Sequence, residues 1–144
     1  TLSQTIPLTG AVIVMTPQDV AMNIAGKALA MFRQLKVPIL GIIENMSGFV
    51  CPQCGHETEI FLRGGGRRAA ERLGVTFLGE IPIDPEICRA GDSGQPLLVA
   101  APESNSAKIY RKVAGALAGR ISVASLTDSP TDNVVFIKGP APGR

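Results

Sequence analysis

Cys51-Pro52-Gln53-Cys54-Gly55 places two thiols three positions apart around a Pro-Gln pair. Two thiolates at that spacing can reach one soft metal while the backbone turns around it. A complete tetrahedral site takes four ligands. The other candidates in the chain are His56, which follows Cys54 too closely for its ring to reach the same ion with ease, and Cys88, far along the sequence. Three chemistries remain open. A two-fold dimer could contribute two sulfurs per subunit to one shared four-cysteine site. The pair could instead help to hold a structural zinc, or act as a thioredoxin-like dithiol, although no redox-type strand-to-helix start precedes it. Taken alone, Cys88 reads as a packed or surface thiol.

Asn45 carries an amide that both donates and accepts, as recognition of a purine edge requires, although an Asn at a strand end is also an ordinary turn or cap residue. Asn45-Met46-Ser47 matches a glycosylation sequon, which carries little weight without a secretory signal. Gly64-Gly65-Gly66 followed by Arg67-Arg68 has the make-up of an anion-binding helix start; a plain turn leading into a solvated helix face explains it equally. Gly91-Asp92-Ser93-Gly94 has the residue types of a serine-protease nucleophile segment. A two-barrel protease needs far more strand than this chain offers, and His56 sits in a cysteine loop, so a turn built on Asp92 and Gly94 is the simpler account. The phosphate-cradling pattern G-x-x-x-x-G-K-[ST] does not occur: Gly26-Lys27 is followed by Ala28 and has Ala21 where the first glycine belongs. This stretch is not expected to cradle a triphosphate by itself.

These residues need a scaffold, and 144 residues suffice for one domain. With 45% hydrophobic and 18% charged residues the chain has the apolar material for a core, which excludes wholesale disorder. A formal charge of +2 argues against nucleic acid as the default partner, and 4% aromatic content argues against base-stacking platforms. Sixteen Gly and eleven Pro favour a fold rich in tight βα and αβ turns. No apolar run approaches the roughly 20 residues of a membrane span and no signal-like start is visible, so the expectation is a cytoplasmic protein with no membrane partner. Thr1–Thr5 looks like a fragment of a helical pattern without a start, as if the sequence were part of a longer protein.

Ala11–Met15 is a β-branched apolar run bounded by Gly10 and Thr16-Pro17, the pattern of a strand buried on both faces. Between Gln18 and Lys36 the residues Val20, Ile24, Ala28, Phe32 and Leu35 form a helical stripe that ends before Pro38. Pro38–Ile43 reads as the next parallel strand, reached by a right-handed crossover. Further along, the sequence predicts a short helix over Gly66–Leu73 stopped by Gly74, a strand over Val75–Ile81 and a short helix over Pro85–Arg89. A weak extended piece over Leu97–Ala101 and a long amphipathic helix over Glu103–Arg120 follow. From Ser122 the composition turns to Ser, Thr, Asp, Pro and Gly, a linker or disordered tail with Val134–Ile137 as a short extended segment. The expected organisation is an α/β domain over 1–121 and a tail over 122–144. The fold class is part of a doubly wound, mostly parallel sheet with flanking helices. Such sheets bind ligands beyond the carboxyl ends of their strands, where Thr16-Pro17, Asn45, the cysteine loop and Pro82–Asp84 all fall.

Several unrelated short motifs recur in order: Thr16-Pro17-Gln18-Asp19-Val20, Gly41-Ile42-Ile43-Glu44-Asn45-Met46-Ser47, Cys51-Pro52-Gln53-Cys54-Gly55-His56, Ile60-Phe61 with Gly64-Gly65-Gly66, Leu78-Gly79-Glu80-Ile81-Pro82-Ile83-Asp84-Pro85, and Gly91-Asp92 with Gly94-Gln95-Pro96. On these, as far as about Arg120, the chain resembles the C-terminal half of the Mrp/ApbC family, P-loop ATPases related to MinD and to the nitrogenase iron protein. The resemblance implies a homodimeric iron–sulfur cluster carrier that holds a 4Fe-4S cluster between the paired Cys51 and Cys54 loops and passes it to apo-proteins. It further implies ATP binding and hydrolysis in the intact protein, with Asn45 as the adenine-recognising residue and Pro82, Asp84 and Pro85 lining the base pocket. The family's phosphate loop and magnesium-binding Asp strand would precede Thr1, so ATPase activity is not expected of this stretch alone. Cys88 departs from the family pattern, as does Leu62-Arg63, which stands where a glycine is common. The alternative class is a MinD-like, non-enzymatic regulatory or partition module whose cysteines hold structural zinc.

Overall fold

Ile42 and Ile43 are neighbours on one strand and pack into separate apolar clusters on its two sides, because successive side chains of a strand point to opposite faces. In the computed structural model, which describes residues 8–127, that strand is the centre of a four-stranded sheet. The elements in chain order are β1 (Ala11–Met15), α1 (Asp19–Gln34), β2 (Ile39–Val50), β3 (Glu57–Thr58), α2 (Gly65–Leu73), β4 (Phe77–Ile83), α3 (Pro85–Asp92), α4 (Leu97–Ala100) and α5 (Asn105–Thr127). Strand β1 lies parallel to β2 on one edge, with Met15 opposite Glu44. Strand β4 lies parallel to it on the other, with Asn45 opposite Ile81. The two-residue β3 runs antiparallel to the far end of β2, pairing Phe49 with Thr58 and Val50 with Glu57.

One face of the sheet sends Ile13, Met15 and Ile42 against Ala25 and Leu29 of α1 and Ala69 and Ala70 of α2. Alanines at these helix positions let the helices approach the sheet closely. The opposite face packs Ile43, Leu78 and Ile81 against Val113 of α5, with Ile87 of α3 beside them. Helices on both faces of a mostly parallel sheet make the doubly wound architecture that the βα alternation predicts.

Several elements differ from the sequence expectation for identifiable reasons. Helix α1 turns Ala21, Met22, Ala25, Ala28 and Leu29 to the sheet, so of the expected stripe Ala28 packs on the core while Val20, 70% exposed, and Ile24, 64% exposed, do not. Strand β2 continues seven residues past Ile43, to Val50, but not as one regular strand. Its pairing with β4 shifts between Asn45 and Phe49, where Met46 (φ 59°) and Gly48 (φ 71°) take left-handed backbone. The regular part ends at Asn45, and the remainder is an arm whose Phe49 still pairs with Ile83 of β4. Strand β4 reaches Ile83, so Pro82 lies within it. Leu97–Ala100 is one helical turn, not an extended piece, because its β-branched content is outweighed by Leu97 packing with Ala90 and Ala107. Helix α5 runs on to Thr127, so the boundary expected at 121/122 falls inside a helix. The rest of the expected tail, 128–144 with Val134–Ile137, and the Thr1–Thr5 fragment lie outside the described residues. Among the described residues no helix is long and apolar enough to cross a membrane.

Candidate functional site

The arm of β2 and the short β3 make a hairpin, and the cysteines occupy its tip. Cys51 leaves β2, its N–H donates to the His56 carbonyl (3.0 Å), and its own carbonyl accepts from Gly55 N–H (2.8 Å). Gly55 supplies the left-handed backbone (φ 72°) that closes this turn. All three cysteines are free thiols; Cys54 is exposed and Cys51 half-buried. Backbone N–H groups of Cys54 and then Gln53, with the Cys54 thiol, face the Cys51 sulfur and hold its thiol below the ordinary range. N–H donors stabilise the thiolate, the form that binds metal. His56 and Cys88 do not complete a ligand set: among the described residues no group of three or more His, Cys, Asp or Glu side chains is gathered where it could hold a metal ion. Cys88 sits exposed on α3, its Sγ 3.7 Å from Asp92 Oδ2.

Glu44 explains the triple glycine. This carboxylate has no exposed surface and accepts from the backbone N–H groups of Gly64 (2.9 Å) and Gly66 (2.5 Å) at the start of α2. The helix start does bind an anion, and the anion is the chain's own side chain. A Cβ on Gly65 would lie 2.0 Å from the Pro17 carbonyl oxygen, and one on Gly66 2.8 Å from Glu44 Cβ, so the close approach demands glycine at both. In the sequence Glu44 stands within a family motif with no role assigned to it; its one mark is that of a carboxylate directly after a buried apolar run, which must find donors to be there.

Between this helix start and the hairpin, Arg63 reaches Glu80 on β4 (2.5 Å) and Glu57 on β3 (3.6 Å). Ser47 Oγ donates to the second Glu80 oxygen at 3.4 Å. The Arg63 hydrogen bond, its charge and Ser47 hold the Glu80 carboxyl below the usual range, against partial burial that raises it. Glu80 in turn raises Arg63. Neither residue was singled out from sequence.

Pro82, Asp84 and Pro85 line one cleft of about 350 Å³, with Val50 and Pro52 of the hairpin opposite and Asn105 from α5. Asp84 caps α3, accepting from Glu86 N–H (2.8 Å), and accepts from Ser106 Oγ with its other oxygen (2.5 Å). Pro85 takes the first helical position, where a missing N–H is harmless. Asn45 is not among the residues lining this cleft; its amide oxygen accepts from Met46 N–H at 3.0 Å. Asp92 ends α3 and Gly94 (φ 69°) turns the chain after it, which leaves the protease-like segment as a helix terminus.

A doubly wound α/β architecture with a two-cysteine hairpin at the carboxyl end of its central strand defines a class, and the comparisons with known proteins identify it further. The family model described as ParA, NUBPL iron-transfer P-loop NTPase, matches residues 1–118, and the chain belongs to that family. It is 50% identical over 129 residues to an iron–sulfur cluster carrier protein of Deinococcus radiodurans, a match covering 90% of this chain and 36% of the relative. It is 45% identical over 120 residues to the iron–sulfur cluster transfer protein NUBPL of Mus musculus, covering 83% and 38%. The chain thus spans little more than a third of these relatives. Among solved structures, a nucleotide-binding protein of Archaeoglobus fulgidus in complex with ADP is 39% identical, with a TM-score of 0.56 over 67% of this chain and 39% of that one. The cell-division ATPase MinD of Pyrococcus furiosus shares the fold, with a TM-score of 0.62 at 22% identity over 77% of this chain and 43% of that one.

Proposed function

We propose that this chain is the cysteine-bearing part of an iron–sulfur cluster carrier. In this reading Cys51 and Cys54 of one copy and the same pair of a second copy hold one 4Fe-4S cluster and deliver it to apo-proteins. The observation that carries the reading is the hairpin tip, which presents two free thiols away from the core in a chain of the iron-transfer family. Two sulfurs with no third ligand gathered beside them among the described residues make half of a four-thiolate set, which a two-fold axis would complete.

Delivery is ligand exchange without net oxidation. An acceptor thiol gives up its proton and binds iron, the bond from iron to a hairpin sulfur breaks, and the released thiolate takes up a proton. The N–H groups around Cys51 stabilise that thiolate as it leaves. Exposure of the hairpin gives acceptor cysteines access. Free thiols suit a reducing compartment, and we assign the carrier to the cytoplasm on that ground.

The cleft at Pro82, Asp84 and Pro85 is assigned to the base of a nucleotide; Asn45, which does not line it, is left out of that assignment. Prolines give it flat apolar walls, and Asp84 fixes their position by capping α3 and binding Ser106. Binding of the ATP phosphates and hydrolysis belong to the intact protein.

Anaerobic reconstitution followed by iron and labile-sulfide analysis tests the cluster assignment. About four irons and four sulfides per pair of chains are expected, lost in a Cys51→Ala/Cys54→Ala variant. Unchanged retention in that variant overturns the reading. Stoichiometric zinc in protein purified without oxygen, with no transfer to an apo-ferredoxin, would establish the zinc-holding module instead.

A further inference from the structure

Among the described residues, both ion pairs are made by one side chain, Arg63, and one of its two partners lies on the cysteine hairpin. The hairpin is weakly built. Its return strand is only Glu57 and Thr58, both exposed, and among the described residues β3 pairs with no strand but β2. Two residue pairs give little resistance to twisting or fraying. Arg63 spans this weak element and a strong one. Its Nη1 reaches Glu57 Oε2 on β3, and its Nη2 reaches Glu80 Oε1 on β4, a core strand. Behind it the backbone is pinned, since Gly64 N–H donates to the buried Glu44 carboxylate. Glu80 is itself fixed from a second direction by Ser47, at the base of the arm that leads to Cys51.

We infer that Arg63 is a positioning residue for the Cys51–Cys54 hairpin, holding the return strand against β4 and so setting the direction in which the two sulfurs are presented. This rests on the cluster-carrier reading for its consequence, but not for its geometry. The side chain is half-exposed, and exposed ion pairs add little to global stability. Its role is therefore local to the hairpin, and its loss leaves the fold intact.

Two measurements on the full chain separate the possibilities. In the first, a spin label is placed on Cys54 of a Cys51→Ser/Cys88→Ser background, and its mobility is read with no iron present. The label is expected to become more mobile with Arg63→Ala and with Glu57→Gln. The two changes together should do no more than either alone, since they cut the same link. Arg63→Lys keeps one charge and should restore part of the order. Thermal unfolding should be nearly unchanged throughout. Label mobility identical in Arg63→Ala and the parent overturns the proposal.

In the second, iron retention after anaerobic reconstitution is measured with the native cysteines. Arg63→Ala is expected to weaken it about tenfold, the low end for a group that orients a metal ligand, with partial rescue by Arg63→Lys. Retention unaffected by Arg63→Ala, but lost in Cys51→Ser/Cys54→Ser, overturns the positioning role and leaves the cluster reading standing. Increased label mobility together with iron retained in that cysteine variant has the opposite meaning: Arg63 orders the hairpin, and the cluster assignment fails.

Discussion

Leu62 and Glu80 are the residues at which local physics makes the sharpest predictions. Leu62 is exposed and has φ 68°, a left-handed conformation that strains any residue with a Cβ. Leu62→Gly should remove about 1–2 kcal/mol of strain while adding roughly 0.5–1 kcal/mol of unfolded-state entropy, a net stabilisation of about 0.5–1 kcal/mol in urea unfolding. No gain would mean the loop relaxes at no cost. Glu80 is held below the carboxyl's ordinary 4.5 chiefly by Arg63. A depressed folded value means the unfolded chain binds the proton more readily, so the contribution is fully present above the unfolded value and is lost as pH falls through the folded one. The stability gap between the parent and Glu80→Gln should therefore be small, constant above about pH 6, and close as the pH falls below 4.5. It should also shrink in high salt, because the pair is partly exposed. The cysteine pair was fully legible from spacing. Arg63 and Glu80 were not, because a salt link between residues 17 positions apart leaves no periodic mark.

At the scale of elements, the junction of β2 with α2 is where the fold is least tolerant. Glu44→Ala would leave two N–H groups at a buried helix start without their acceptor, at a cost of roughly 2–4 kcal/mol. Gly65→Ala drives a Cβ into the Pro17 carbonyl and should cost at least as much as other overpacking changes, about 1–3 kcal/mol. Chemical denaturation of both variants checks this, and a loss below about 0.5 kcal/mol in each would show that the junction yields. The parallel strands could be read from sequence because their apolar runs are bounded by Gly and Pro, and α2 because Gly74 stops it. The hairpin could not, since a two-residue β3 is too short to show alternation. Leu97–Ala100 misled for the same reason: four apolar residues carry no period, and packing chose the helix.

For the whole molecule, the surface around β1 governs behaviour in solution. Strand β1 pairs on one side only among the described residues, Val14 on it is 60% exposed, and α1, on the opposite face of the sheet, presents Val20 and Ile24. Unpaired edges and exposed apolar side chains promote association. The chain is expected to self-associate at micromolar concentration, and Val14→Lys with Ile24→Lys should reduce the light scattering without changing the unfolding midpoint appreciably. Equal scattering from parent and variant would place the contact elsewhere.

The sequence by itself determined the βα order, the doubly wound class and the pair of thiols, because each is written in neighbouring residues through apolar periodicity, turn formers or ligand spacing. Only the tertiary structure decided that the glycine-rich helix start is filled by Glu44, that α1 faces the sheet with its alanines, and that Arg63 joins the cysteine hairpin to β4. Those outcomes depend on which distant groups meet, and a buried charge or a close backbone contact acquires its partner only when the chain has closed upon itself.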